Sequence, residues 1–120
     1  MQTLELVGKH FEAADCHADE LWVRVRMARL DPAQRSGWKL HLSATPANFF
    51  ALLEAALPLL DEAGLPFKSL RDLDAVERMN AGEYGLMQVG KALTVYPRTE
   101  EQAAALCEDL RAVLRGLSGP

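Results

Sequence analysis

A strict two-residue alternation over residues 21–28 most constrains what this chain can fold into. A period of two is typical of an extended strand whose two faces meet different surroundings. One face holds only aliphatic side chains, and the other holds an indole ring and guanidinium groups. The aliphatic face consists of Leu21, Val23, Val25 and Met27, and the opposite face of Trp22, Arg24 and Arg26. The pattern therefore predicts a strand with one buried and one solvent-facing side.

Three later segments, residues 38–44, 65–70 and 91–96, predict further strands. The alternation of the first of these predicts that its core-facing residues are Trp38, Leu40 and Leu42. The residues predicted on its opposite face are Lys39, His41 and Ser43. In the second segment, Phe67 is predicted to point inward and Lys68 outward. A turn at Asp31-Pro32, closed by Gly37, is predicted to join the first two strands.

Two segments have the three- and four-residue apolar spacing of amphipathic helices. The first is predicted to begin at Thr45-Pro46 and to end at Gly64, and the second follows a capping box at residues 99–102. A short helix over residues 71–80 and a loop to residue 90 separate the last two strands. The two apolar stripes are Phe49, Leu52, Leu53, Ala56, Leu57 and Leu60, and Ala103, Leu106, Cys107, Leu110, Val113, Leu114 and Leu117.

A helix with one apolar stripe must pack that stripe against another apolar surface, such as one face of a sheet. Strands with one apolar and one polar side need such packing on one face only. We therefore predict an α+β fold, a two-layer sandwich with a mostly antiparallel sheet and two main helices on one face, ferredoxin-like in outline. A length of 120 residues suits one core. Residues 1–20 are interpreted as a polar N-terminal lead-in, and residues 21–120 as a single α+β domain.

Charge and composition exclude several classes of protein. The formal net charge is −4 and no segment is basic, so we expect no nucleic-acid partner. No apolar run approaches the roughly 18–20 residues of a membrane span, and the N-terminus lacks a secretory pattern. We therefore expect a cytoplasmic protein without a membrane partner, in which Cys16 and Cys107 are free thiols.

The polar residues before residue 20 leave two readings open. His10, Asp15, Cys16, His17 and Asp19 include zinc ligand types, but they lack the paired short spacings of a structural zinc site. Surface side chains of a lead-in are the favoured interpretation. A P-loop, a dinucleotide fingerprint and a G-x-S-x-G motif are all absent from the sequence.

The outward-facing residues of the predicted strands bring cations from distant parts of the chain to one sheet face. Lys39, His41 and Ser43 come from one strand and Lys68 from another, and the strand at 91–96 adds its own alternate residues. A solvated surface explains such charges adequately. A site for an anion explains them as well.

Three ordered motifs favour the site. GWKLHLSATPANF, LPFKSL and GKALTVYP resemble the N-terminal lyase domain of class III lanthipeptide synthetases, in the same order and at similar spacings. The resemblance covers about residues 21–120. The chain is also distantly similar to the phosphothreonine lyase effectors of bacterial pathogens, which use a K-x-H strand as well.

The resemblance implies an enzyme that β-eliminates phosphate from phosphoserine or phosphothreonine in a precursor peptide, leaving a dehydroamino acid. It implies no cofactor and no metal. Lys68 matches the base and His41 the general acid that protonates the leaving phosphate. Lys39 matches a contact to the phosphate and carbonyl. Further phosphate contacts are implied at Arg78, Tyr84 and Lys91.

The sequence also departs from the family pattern. Leu86-Met87-Gln88 stands where the family has an arginine before its GK motif, and the family continues past the position of Pro120 into a strand rich in tyrosine and arginine. The alternative function is therefore a non-catalytic, lyase-like peptide-binding or partner subunit. Expected partners are the phosphorylated peptide and a kinase or cyclase chain. A homodimer through Trp22 is weighed equally against Trp22 packing on a neighbouring loop.

Overall fold

The computed structural model describes residues 2–27, 38–85 and 89–115, which form five strands and four helices. The helices are α1 (Thr3–Val7), α2 (Phe49–Ala63), α3 (Leu73–Asn80) and α4 (Glu100–Val113). The strands are β1 (Cys16–Ala18), β2 (Trp22–Val25), β3 (Leu40–Leu42), β4 (Phe67–Leu70) and β5 (Leu93–Val95). The predicted turn at Asp31-Pro32 and Gly37, the Leu86-Met87-Gln88 segment and residues 116–120 lie outside the described residues.

All five strands join one antiparallel sheet in the order β1-β2-β4-β5-β3. One sheet face and the apolar stripes of α2 and α4 contribute to the same hydrophobic core, with Phe49, Leu53, Phe67 and Val95 fully buried. This arrangement confirms the predicted α+β two-layer sandwich. None of the helices in the described ranges is long and apolar enough to cross a membrane.

The first predicted strand ends earlier than its alternation indicated. Arg26 has a φ of 58°, in the left-handed region that non-glycine residues rarely adopt, and this turns the backbone out of the extended conformation. Its guanidinium lies 4.7 Å from the ring centroid of Phe11 and 2.9 Å from the carboxylate of Asp61 on α2. The prediction that Arg26 shares a face with Arg24 is therefore wrong.

The prediction that Trp38 faces the core is also wrong, since Trp38 is 53% exposed. The strand that it was assigned to, β3, begins only at Leu40 and pairs through three residues with β5. Trp38 lies before that pairing begins. Alternation predicts a face only as far as the strand is held in a ladder, so it fails beyond the end of β3.

The predicted Gly64 end of α2 and the predicted Thr99 start of α4 are confirmed, but the prediction that α2 begins at Thr45-Pro46 is wrong, because α2 begins at Phe49 with Asn48 as its N-cap residue. Residues 46–48 form a turn in which Thr45 and Asn48 exchange side-chain to backbone hydrogen bonds of 2.9 and 3.3 Å. Gly64 ends α2 in the left-handed conformation, at φ 69°. At the start of α4, the Thr99 hydroxyl accepts a 3.0 Å hydrogen bond from the Gln102 N–H.

The segment interpreted as a polar lead-in takes part in the packed structure. Leu6, Val7 and Phe11 are buried, and the Phe11 ring packs edge-on against Phe67 with centroids 5.4 Å apart. The Thr3 hydroxyl donates a 2.5 Å hydrogen bond to the Leu70 carbonyl. Strand β1 then adds to the sheet beside β2. The elements are too short to show a period, so the pattern did not reveal them. Cys16 and Cys107 are both free thiols.

Replacement of Gly64 by alanine should destabilise the protein without introducing a clash. A Cβ at this position meets no atom within 4 Å, so the cost comes from holding an L-residue in the left-handed region, about 1–2 kcal/mol. Gly64→Asn should cost less because asparagine tolerates that region better. Urea unfolding followed by circular dichroism measures both changes, and equal free energies of unfolding for the two variants would contradict this account.

Candidate functional site

One residue from each of the five strands lies in a single row across the sheet. The register pairs neighbours in the order His17, Arg24, Lys68, Thr94 and His41. Directly opposed residues of antiparallel strands point to the same side of the sheet. These five residues, called the cross-strand row below, therefore share one face, opposite to the buried apolar face. Residues that are far apart in sequence meet here because the strand order is not the chain order.

Thr94 lies between the two residues that the resemblance assigns as base and acid. Its hydroxyl oxygen is 3.1 Å from Nδ1 of His41, and the residue is only 1% exposed. In the described part of the chain, Nε2 of His41 has no hydrogen-bond partner. The strands carrying Lys68 and His41 are two strand spacings apart, about 10 Å. Thr94 thus orients the imidazole and separates it from Lys68.

Two lysine side chains of this face, Lys68 within the cross-strand row and Lys39 beside it, lie over aromatic rings. Nζ of Lys68 lies 4.3 Å from the ring centroid of Trp22, which is itself buried on β2. Nζ of Lys39 lies 5.9 Å from the ring centroid of Tyr96, at the end of β5. Aromatic faces attract cations at such distances. The two rings therefore hold the ammonium groups over the sheet face.

The surroundings of His41 lower its pKa below the ordinary value of 6.5. Burial is the largest cause, and the positive charges of Lys91, Lys39 and Lys68 add to it in that order. Charges in solvent are largely screened beyond about 10 Å at 0.1 M salt. The lysines that act on His41 thus converge from three different segments of the chain, as the sequence analysis predicted for Lys39 and Lys68.

The pKa of Lys68 is also lowered, first by burial and then by Arg24, Lys39 and Lys91, while Asp19 opposes the shift. A lysine in such surroundings loses its proton more readily than a lysine in water. Burial raises the pKa of the Tyr96 phenol, against the field of Arg24. Burial and the neighbouring cations therefore favour a neutral amine on Lys68, whereas burial alone favours an un-ionised phenol on Tyr96.

Arg78 and Tyr84 form a second group. Nε of Arg78 lies 3.0 Å from the Asp74 carboxylate one helical turn away, and the Asp74, Glu83 and Tyr84 charges raise the pKa of this guanidinium, in that order. Both side chains are solvent-exposed. Among the described residues, neither makes a hydrogen bond or ion pair with the cross-strand row. The structure therefore brings together four of the six predicted site residues: Lys39, His41, Lys68 and Lys91.

Several residues on or beside this face were not selected from the sequence as site residues, among them Arg24, Thr94, Tyr96 and Asp19. Arg24 is paired with the Asp19 carboxylate, and that carboxylate also accepts hydrogen bonds from the N–H groups of Leu21 and Trp22 at 2.9 and 2.8 Å. The alternation at 21–28 placed Arg24 on an outward face. It did not indicate that β2 lies beside β4, which is what brings Arg24 next to Lys68.

A cavity of about 340 Å³ lies between β3 and α4 and shares His41 with the cross-strand row. The rest of its lining is mostly apolar and consists of Leu40, Leu42, Cys107, Leu110, Arg111 and Leu114. Lys39, Lys68 and Lys91 do not line this cavity. Within the described ranges, no three His, Cys, Asp or Glu side chains are grouped closely enough to hold a metal ion. The chemistry available here is that of amines and an imidazole facing an anion.

Comparison with known proteins gives two findings. Residues 7–120 match the family model described as RamC, N-terminal domain. The chain is also 32% identical over 105 residues to a protein of Streptomyces coelicolor (strain ATCC BAA-471 / A3(2) / M145) named "Probable SapB synthase". That alignment covers 87% of this chain and 11% of the synthase. The chain thus spans about a tenth of the length of this curated relative.

His41 should titrate below pH 6.5, and removal of a lysine charge should raise its pKa. Lys91→Met removes the lysine charge that lowers the His41 pKa most. The imidazole should therefore hold its proton to a higher pH than in the unmodified protein. Nuclear magnetic resonance titration of the His41 ring protons measures the shift. Lys9→Met is the matched control, since Lys9 is an exposed lysine on the turn after α1. Equal His41 pKa values in both variants would show that the charges do not converge.

Proposed function

This chain belongs to the RamC N-terminal domain family, and we propose that it acts in lanthipeptide biosynthesis as a phosphoserine/phosphothreonine lyase domain. The proposed reaction eliminates phosphate from a precursor peptide and leaves a dehydroamino acid. The name of the Streptomyces relative supports the biosynthetic role. The single observation that supports the chemistry is the convergence of Lys39, Lys68 and Lys91 on His41.

This group of cations is suited to a phosphorylated side chain. Of the charges that act on Lys68, three are positive and one, Asp19, is negative, and Asp19 is already paired with Arg24. Like charges on one sheet face repel each other, and an anion of nearly two charges relieves that repulsion. A phosphate monoester has that charge near neutral pH, and three oxygens that accept hydrogen bonds from ammonium groups.

Lys68 is the proposed base. A base must remove the weakly acidic Cα proton of the phosphorylated residue, and only a neutral amine can accept it. Partial burial and the charges of Arg24, Lys39 and Lys91 shift Lys68 toward that neutral form. The electrons of the broken Cα–H bond form the new double bond, and the Cβ–O bond to phosphate breaks.

His41 is the proposed acid, and Lys39 and Lys91 the proposed phosphate contacts. In the unliganded protein the surrounding cations favour a neutral imidazole. A bound phosphate replaces that repulsion with attraction and raises the pKa of His41, so the imidazole gains the proton that it then donates to the leaving oxygen. The Thr94 hydroxyl holds Nδ1, which leaves Nε2 as the nitrogen for this transfer. Lys39 is also proposed to contact the carbonyl on which charge builds.

Arg78 and Tyr84 remain proposed as further phosphate contacts. Since the Arg78 guanidinium is paired with Asp74 in the structure, this pair must open before Arg78 can reach a substrate. The reaction also needs an earlier phosphorylation of the peptide, so a kinase must act before this domain. Binding of a phosphopeptide without elimination is the second candidate function, and the following experiment separates the two.

Incubation of the protein with a phosphothreonine peptide should produce a peptide that has lost phosphoric acid, detected by mass spectrometry. Lys68→Met and His41→Gln should each slow this reaction by about 100- to 10,000-fold, the usual contribution of an acid or a base. Lys9→Met removes a lysine charge elsewhere and should leave the rate unchanged. Unaltered rates in both site variants would contradict the assigned roles. Peptide binding without any mass loss would instead favour a non-catalytic subunit.

The pH dependence should identify Lys68 as the base. Because the amine must be neutral, kcat at saturating peptide should rise with pH through the Lys68 pKa in the enzyme–peptide complex, in which the bound phosphate keeps His41 protonated. Lys91→Met removes a positive charge that lowers this pKa, so the rising limb should move to higher pH. The position of the limb, and not the height of the plateau, is the measurement, since loss of a phosphate contact changes the height alone. A limb that stays in place would exclude Lys68 as the titrating base.

A further inference from the structure

The positive charge on the site face continues beyond the residues proposed to handle phosphate. Arg24 is directly opposed to Lys68 on β2, on the side away from Thr94 and His41. It is the strongest of the charges that lower the pKa of Lys68, and it also acts on Tyr96. Apart from this effect on Lys68, the proposed elimination gives the guanidinium no contact with the substrate.

The present partner of Arg24 can be exchanged. The Arg24 and Asp19 side chains are 36% and 49% exposed, and ion pairs so exposed to water contribute little to stability. Asp19 also does not depend on Arg24, since its other oxygen accepts hydrogen bonds from the N–H groups of Leu21 and Trp22. A carboxylate of a bound peptide can therefore replace Asp19 as the partner of the Arg24 guanidinium, while Asp19 keeps its hydrogen bonds to the backbone.

The distance between Arg24 and His41 determines how many residues separate such a carboxylate from the phosphorylated residue of a peptide. Strands β2 and β3 are three spacings apart in the sheet, about 14 Å. An extended peptide advances about 3.3 Å per residue. A peptide that places its phosphate at His41 and crosses the sheet face therefore reaches Arg24 within about four residues.

We propose that Arg24 is a specificity-determining residue that binds a carboxylate side chain of the substrate peptide, within about four residues of the phosphorylated one. This inference rests on the proposed function, because it takes the phosphate to lie at the His41 end of the cross-strand row. A guanidinium suits the task since its planar fork pairs with both oxygens of a carboxylate. The proposal gives the site face two anion subsites, one on each side of Lys68.

The proposal is tested with a set of phosphothreonine peptides. Each peptide carries a single Glu at one of the four positions before or the four positions after the phosphothreonine. Each is compared with the same peptide carrying Gln, by the dissociation constant from fluorescence anisotropy. We expect one position at which Glu binds the unmodified protein about 1.5- to fivefold more tightly than Gln, the range of an exposed ion pair. Arg24→Met should abolish this preference, and Arg115→Met, at an exposed arginine after α4, should retain it.

The ratio of the dissociation constants of the Glu and Gln peptides separates a direct contact with Arg24 from indirect effects of the substitution on Lys68. Arg24→Met also raises the pKa of Lys68, but that change affects both peptides equally and cancels in the ratio. Asp19→Asn removes the competing carboxylate and should increase the preference for Glu. This variant retains Arg24, so it tests the proposal even if Arg24→Met fails to fold.

Two results would overturn the proposal: no preference for Glu in the unmodified protein, or an equal preference after Arg24→Met. Unphosphorylated versions of the peptides distinguish this failure from failure of the proposed function. If phosphorylation strengthens binding but the Glu preference does not depend on Arg24, only the carboxylate subsite is wrong. If phosphorylation has no effect on binding, the phosphate site at His41 is wrong, and the carboxylate proposal fails with it.

Discussion

The antiparallel register of β4 between β2 and β5 is the constraint on which the rest of the site depends. It places Lys68 directly opposite Arg24 on one side and Thr94 on the other, and Thr94 in turn opposite His41. A shift of one residue in either ladder would turn Lys68 away from its neighbours, because successive strand residues face opposite sides. The buried apolar face opposes such a shift, since it would expose Phe67 and Val95 to water. The core thus protects the register of the site.

The same arrangement concentrates like charges, which is unfavourable for folding. The pKa values of Lys68 and His41 are both lowered by burial and by the neighbouring cations, and the contribution of the cations is the effect of this repulsion. The ammonium groups of Lys68 and Lys39, which lie over the rings of Trp22 and Tyr96, gain cation–π attraction that offsets part of their lost hydration. Like charges therefore repel each other on this face in the absence of an anion, and the proposed binding of a phosphate group relieves that repulsion.

Short-range sequence patterns predicted the individual helices and strands better than they predicted the order of the strands in the sheet. Gly64 and Thr99 were identified as helix boundaries because capping chemistry involves only neighbouring residues. The outward faces of Lys39, His41 and Lys68 followed from alternation. Strand order did not, because pairing between β2 and β4 depends on contacts more than 40 positions apart, and so Arg24 was not recognised as a neighbour of Lys68. Trp38 and Arg26 were misplaced since alternation says nothing about where a ladder ends.

The proposed base and the proposed acid make opposite demands on a single electrostatic field. Cations that lower the pKa of Lys68 also lower the pKa of His41, yet an acid must be protonated. A phosphate resolves this conflict when it lies nearer to His41 than to Lys68, because Coulomb interactions weaken with distance and the nearer pKa rises more. The structure favours that difference: Thr94 separates the two residues, and Nζ of Lys68 leans over Trp22 on β2, away from β3. Protonation of the acid then depends on the presence of the substrate, while the base stays available.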